Sequence, residues 1–274
     1  MMQAEDGHLR SVWVEVGGLW IHARVAADAA AAASLPVVLV HGLVVSSRYM
    51  VPLAERLAHH MQVYAPDLPG FGKSDHPAQP LNIVGLADAL ASWMRATGIV
   101  RAALIGNSLG CQVIADLALR YPSLATCAVL IGPTTDRRGR NLLEQARRLI
   151  GAARYEAASL IGVQLRDTWS AGLRETLTTA RYAIADRIET KLPALSLPVL
   201  VVSGSRDPIT PPRWAAELAR LLPSGRLHIL AGGGHALNYS APDQLLAIVA
   251  PFLSQQLEIR DSNGYARLAA ATAV

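Results

Sequence analysis

The stretch "AALIGNSLGCQVIAD", Ala102 to Asp116, decides how this chain is read. It opens as an uninterrupted apolar run, the pattern of a strand covered on both faces, and continues beyond Ser108 with helical periodicity. Between them, Gly106-Asn107-Ser108-Leu109-Gly110 matches G-x-S-x-G. On a strand–turn–helix this pattern lifts a serine to the top of a sheet in a strained conformation, and the glycines let neighbouring backbone pass closely. The match alone is weak: with Gly and Ser each at roughly 7% of residues, chance produces it in about one chain in ten of this length. A serine that merely caps a helix is the plain alternative. Cys111, one helical turn beyond Ser108, sits where a small side chain favours close helix-to-sheet packing, and is expected to be buried and inert.

Outward from this stretch the pattern alternates. Before it come the extended segments "SVWVEV" and "LWIHARV", joined by Gly17-Gly18, then the buried strand "PVVLV", a helical pattern from Ser47 to His60, strand "QVYAP" and helix "IVGLADALASWMRATG". After the helix from Leu109 to Tyr121 come strand "ATCAVLIG", an interruption, and then "PVLVVSG", "RWAAELARLL", "RLHILA" and "QLLAIVAPFL" as strand, helix, strand, helix. Unbroken apolar strands separated by amphipathic helices predict an α/β fold: a mostly parallel sheet of about eight strands with helices on both faces, antiparallel at its start. Ligands of such sheets gather at the carboxyl ends of the strands.

The interruption after the sixth predicted strand has no strand-like runs, and Leu142, Leu143, Ala146, Leu149, Ile150, Ala153, Ala157, Leu160 and Ile161 recur at helical spacing. It predicts a helical lid over residues 133–195, with residues 1–132 and 196–258 forming the core and 259–274 a loosely ordered tail. "VAADAAAAAS" is expected to be a surface loop. Trp169, Tyr155 and Tyr182 are candidates for the pocket or, at helical spacing, for the core; Arg174, Arg181 and Arg187 are candidates for a substrate carboxylate or for solvated positions.

The 274 residues suit one large domain, 51% hydrophobic and 17% charged, with a net charge of +4 that is too mild and scattered for a nucleic-acid footprint. No signal-peptide pattern opens the chain and no apolar run is long enough to span a bilayer, so a soluble cytoplasmic protein with a small-molecule substrate and no nucleic-acid or membrane partner is expected. Two cysteines, Cys111 and Cys127, build neither a disulfide framework nor a thiolate metal site, and no metal or organic cofactor is expected.

A serine hydroxyl is a poor nucleophile at neutral pH and needs a base, with a third group to orient that base. "VVSGSRDPIT" puts Asp207 in a loop after one strand, and "LAGGGHALNYSAP" puts His235 after the last, which gives the order Ser108, Asp207, His235. Oxyanion donors are expected from the backbone N–H of Leu109 and, in the loop after "PVVLV", from that of Leu43, with Gly42, Gly106 and Gly110 as support. Asp136, in "GPTTDRR", is the rival acid, and "DLPGFGKSD" is read as a turn that braces the site.

His41-Gly42, Asp67–Asp75, "GNSLG", "GSRDPIT" and "GGGH", in this order, make the chain resemble the α/β-hydrolase family along most of its length. The resemblance implies a Ser-Asp-His triad, a two-amide oxyanion hole, a helical cap after the sixth strand and a structural role for His41. A serine at the elbow, where other members carry aspartate, sets aside epoxide and haloalkane hydrolysis. The function expected is hydrolysis of a carboxylic ester with an apolar acyl or alcohol part through an acyl-enzyme. The alternatives are a carbon–carbon bond hydrolase of ring-cleavage products and a low-turnover binding protein on the same fold. Against the first, the loop "HGLVVSS" lacks further glycines and Ala236 stands where tryptophan is common.

Overall fold

A computed structural model describes residues 5–6, 9–26 and 35–261. Its sheet contains β1 (Glu5–Asp6), β2 (Leu9–Val16), β3 (Leu19–Ala26), β4 (Val37–Val40), β5 (Val63–Pro66), β6 (Ala102–Asn107), β7 (Ala125–Ile131), β8 (Val199–Gly204) and β9 (Gly225–Leu230). They lie in the order β1-β2-β3-β5-β4-β6-β7-β8-β9. The pairs from β5 to β9 are parallel, and those of β1, β2 and β3 are antiparallel. The two-residue β1 is an addition to the eight strands expected, so the sixth predicted strand is β7.

Period-two alternation in the buried strands divides the core between the two faces. Val38 and Val40 of β4 and Leu104 of β6 join a cluster with Trp93, Val113 and Trp214 on one face. Val37 and Leu39 of β4 and Ile105 of β6 join Met50, Leu53 and Val249 on the other. The first face is covered by α2 (Ile83–Ala96), α3 (Leu109–Arg120) and α7 (Pro212–Leu221), the second by α1 (Val51–Ala58) and α9 (Pro242–Asp261). Each large aliphatic side chain buried this way contributes about 1.5–3 kcal/mol, which is why an unbroken apolar run is stable only between two helical layers.

Between β7 and β8 the chain is helical: α4 (Leu142–Ala152), α5 (Ala158–Ala185) and α6 (Ile188–Lys191), with short 3-10 turns. Gly172, at φ 78° and ψ 157°, breaks α5 into two helices. Side-chain bonds seat this insertion on the sheet: Ser46 Oγ donates to Asp167 Oδ2 at 2.7 Å, Ser170 Oγ to the Gly72 carbonyl at 3.0 Å, and Gln112 Nε2 to the Ala183 carbonyl at 2.8 Å. The four-residue α8 (Leu237–Ser240) follows the last strand and was not expected from the pattern.

Some expectations are corrected. Trp169 is neither core nor pocket: it is 90% exposed on α5. Tyr155 and Tyr182 do not line the cavity described below; Arg174, Arg181 and Arg187 do not either and are exposed, which is the solvated alternative, with the Arg174 guanidinium bonded to Gln79. Helix α9 carries the backbone on to Asp261, past the expected start of the tail. Most of "VAADAAAAAS" and the tail from 262 lie outside the described residues. Among the described residues no helix is long and apolar enough to cross a membrane.

Candidate active site

Ser108 stands between β6 and α3 at φ 56° and ψ −117°, with its N–H donating to the Ile131 carbonyl of β7 at 2.9 Å. Its side chain makes no capping bond to the helix, which removes the helix-cap alternative. The flanking glycines are sterically required. A Cβ on Gly110 would lie 2.3 Å from the Val40 carbonyl oxygen, and one on Gly106 would lie 2.7 Å from the Gly110 backbone. Cys111 is fully buried, with its thiol toward the Gly106 and Ile131 carbonyls, and burial pushes its pKa well above the ordinary range. That suits an inert thiol.

Asp207 and His235 come from the loops after β8 and β9 and meet at 2.7 Å, Asp207 Oδ2 to His235 Nδ1. Asp207 Oδ1 accepts the N–H groups of Ile209 (2.8 Å) and Thr210 (2.9 Å), so both carboxylate oxygens are held. Burial disfavours the charged imidazole, but the charge and hydrogen bond of Asp207 outweigh it and raise the His235 pKa above its ordinary 6.5. Gly132, just past β7, leaves room for the pair: a Cβ there would lie 2.9 Å from His235 Nδ1 and 3.2 Å from Asp207 Oδ2.

The rival acid is committed elsewhere. Asp136 is fully buried and accepts from Arg148 Nη1 at 2.9 Å and Arg213 Nη2 at 2.5 Å. Burial disfavours its charge, yet these two guanidinium groups hold its carboxyl below the usual range.

Ser108 and His235 line one cavity of about 540 Å³, together with Leu43 and Leu109. Among the described residues no hydrogen bond joins the Ser108 hydroxyl to His235, and no acceptor takes the N–H of Leu43 or Leu109. Ser108 and Val44 are the two non-glycine residues with positive φ among those described, and both line this cavity. Such strain persists only where the surroundings impose it, and it concentrates at functional sites. The remaining wall is apolar or neutral: Leu142, Leu149, Leu177 and Ile184 from the insertion are among its apolar members, and its polar groups, such as Thr134, Thr135, Thr176, Gln145 and Gln164, are uncharged. Among the described residues, no Lys, Arg, Asp or Glu lines it.

His41 shapes the Leu43 loop. Its Nδ1–H donates to the Gly42 carbonyl at 2.8 Å and its Nε2 accepts the Leu68 N–H at 3.0 Å, a pattern that requires the neutral ring, and burial lowers its pKa. Asp67 braces the adjoining loop by accepting from the N–H groups of Ser47 (2.6 Å) and Lys73 (2.8 Å) and pairing with His22 (2.7 Å). His22 also reaches Ser11 Oγ at 3.0 Å, so a second serine–histidine–aspartate chain exists; all three members are buried and none lines the cavity.

Three groups at the site were not foreseen. Asn107 Nδ2 donates to the His235 carbonyl at 3.1 Å, Tyr49 donates its hydroxyl to Asn107 Oδ1 at 3.1 Å, and Glu156 of the insertion accepts the His235 N–H at 2.5 Å. Asn107 adjoins the serine in the elbow and was a readable candidate. Tyr49 and Glu156 carry no motif.

Residues 37–248 match the alpha/beta hydrolase family. The chain belongs to that family. It is 28% identical over 250 residues to a protein of Escherichia coli O81 (strain ED1a) named as a carbamate hydrolase, RutD, covering 82% of this chain and 94% of the relative. Among solved structures it resembles Est816, described as an N-acyl homoserine lactone degrading enzyme, with a TM-score of 0.76 at 20% identity over 88% of this chain and 100% of that one. It also resembles a thermophilic esterase from Thermogutta terrifontis, with a TM-score of 0.72 at 21% identity over 90% and 98% of the two chains. At such identities the structural likeness speaks to the fold.

Proposed function

We propose that this hydrolase cleaves an uncharged carboxylic ester with an apolar acyl or alcohol part, using Ser108, His235 and Asp207 in an acyl-enzyme cycle. The observation that carries the reading is the cavity of about 540 Å³ that joins Ser108 to the Asp207-paired His235 and, among the described residues, has no Lys, Arg, Asp or Glu in its wall. Residues 133–195 are read as a cap, since most of the lining residues come from them.

In the cycle, His235 takes the proton of Ser108 Oγ as that oxygen attacks the ester carbonyl. The N–H groups of Leu43 and Leu109 receive the oxyanion. The tetrahedral intermediate expels the alkoxide, which leaves with the proton from His235, and the acyl group remains on Ser108. Water then attacks the acyl-enzyme, giving its proton to His235, and collapse returns that proton to Ser108 as the carboxylic acid departs. Asp207 holds the imidazole with Nδ1–H toward itself and stabilises the charged ring.

The relative named as a carbamate hydrolase points to a second bond with the same electrophilic centre, and carbamates belong in the substrate panel. Ring-cleavage products carry a carboxylate, and among the described residues no Lys or Arg lines the cavity to receive one. A series of p-nitrophenyl esters of graded chain length, run beside aryl carbamates and a dienoate, tests the reading. Ester turnover that is abolished by Ser108→Ala is expected. Absence of a fluorophosphonate adduct on Ser108 in folded protein overturns the mechanism.

A further inference from the structure

The catalytic base is expected to be held by its neighbours in the core, yet the tightest contact to its backbone comes from the insertion. Glu156 lies in the link between α4 and α5, and its Oε1 accepts both the His235 N–H (2.5 Å) and the Ala236 N–H (2.9 Å). Its Oε2 accepts the Ser240 hydroxyl at 2.7 Å, and Ser240 Oγ in turn accepts the Ala157 N–H at 3.1 Å. Three donors thereby converge on one carboxylate, which bridges the link between the insertion helices to the loop and short helix after β9. The loop is cut to fit it: a Cβ on Gly234 would lie 2.3 Å from Glu156 Oε1 and 3.0 Å from the Tyr155 carbonyl oxygen. The glycine before His235 is therefore explained by the insertion rather than by the sheet.

From the other side, Asn107 binds the His235 carbonyl, so the peptide unit between His235 and Ala236 is held by the elbow at its carbonyl and by Glu156 at its N–H, and the preceding unit is held by Glu156. Two backbone N–H groups converging on a carboxylate form charge-assisted bonds, about twice as strong as neutral ones. A small cavity of about 40 Å³ beside this contact is lined by Glu156, His235, Tyr49 and Gln164, so the carboxylate borders the reacting groups without facing the main chamber.

We propose that Glu156 is a positioning residue that seats the His235 loop against the insertion, so that the catalytic base is fully in place only while the insertion is docked. This rests on the serine-hydrolase reading. It adds a dependence that the triad alone does not contain: a movement of the α4–α5 link carries the backbone of the base with it.

The charged and titratable groups that face His235 are Asp207 from the β8 loop, Glu156 from the insertion and Tyr49 from the segment before α1. Tyr49 is held well above its ordinary range by burial and stays neutral. Arg154 and Arg206 lie over the Tyr155 ring. Removing the Glu156 charge therefore removes one of two anions that favour the imidazolium, and the His235 titration moves to lower pH. Glu156→Gln keeps an oxygen for the two N–H groups and tests charge; Glu156→Ala tests position.

The experiment measures the rate of fluorophosphonate labelling of Ser108 by intact mass from pH 5 to 9, with the His235 ring titrated in parallel by NMR. Glu156→Gln is expected to move both midpoints to lower pH while it keeps most of the plateau rate. Glu156→Ala is expected to lower the plateau by about tenfold to a hundredfold, the scale of a misplaced catalytic group. Coincident NMR midpoints, together with labelling rates that match the wild type in both variants, overturn the proposal. Unlabelled wild-type protein would overturn the hydrolase mechanism instead, and the NMR titration still decides the contact. If Glu156→Ala does not fold, the Gln variant alone decides.

Discussion

Ser108 could be picked out because its neighbours constrain it as strongly as its chemistry does. Gly106 and Gly110 mark a backbone that passes within van der Waals range of β4 and α3, and that requirement is local enough to read from five residues. Asp207 and His235 were legible for the same reason, since each follows an apolar strand. Glu156 was not: its partner His235 lies 79 positions away, and a single glutamate between helices has no pattern. At this scale two outcomes are expected. Asp207→Ala should lower ester turnover by about 10³- to 10⁴-fold by leaving the imidazole without its orienting partner, whereas Asp136→Ala should leave the chemical step largely intact. Undiminished activity in the first and loss in the second would exchange their roles. The rate against pH should rise through a midpoint above 6.5, because the base must be neutral and Asp207 holds it protonated to higher pH. Stability runs the other way. The His235–Asp207 pair stabilises the fold fully below the unfolded value and loses that contribution as pH rises through the folded one, which chemical denaturation across pH 6–9 reads out.

At the scale of elements, the strands and core helices were legible because burial on one or both faces imposes a period, and the insertion was legible as helical but not in how it packs. Leu143 and Ile150 share the helical spacing of α4, yet they are 83% and 77% exposed, since spacing marks a face without saying what covers it. The contacts that seat the insertion are polar and lie far apart in sequence, as with Ser46 and Asp167, 121 positions apart, while within it Arg148 of α4 pairs with the buried Asp136. Arg148→Ala should leave Asp136 buried with Arg213 as its remaining ionic partner and destabilise the protein by about 2–3 kcal/mol, seen in thermal or urea unfolding. In α3, Cys111→Gly should keep turnover while costing about 2 kcal/mol of stability, since a buried side chain is lost and glycine is introduced into a helix. A collapse of turnover with folding intact would show that the thiol has a role in the chemistry.

For the molecule as a whole, the antiparallel entry of β2 and β3 is tied to the parallel sheet by a buried polar knot around Asp67. Burial works against its charge, but the bonds from His22 and the backbone hold its carboxyl at about 2. The unfolded value is near 3.8, so the contribution, about 2 kcal/mol, is present above pH 4 and lost as pH falls toward 2. Urea midpoints measured between pH 5 and 2 should fall more steeply for the native chain than for Asp67→Asn. The cavity wall carries a different consequence for the whole cycle. In the proposed cycle the chamber around Ser108 takes up a neutral molecule and, on hydrolysis, holds an anion with no Lys or Arg among the described residues to stabilise it and an apolar lining that resists its charge. The chemistry thus expels its own product into water, and the free carboxylic acid should inhibit only at concentrations far above those at which the matching ester saturates.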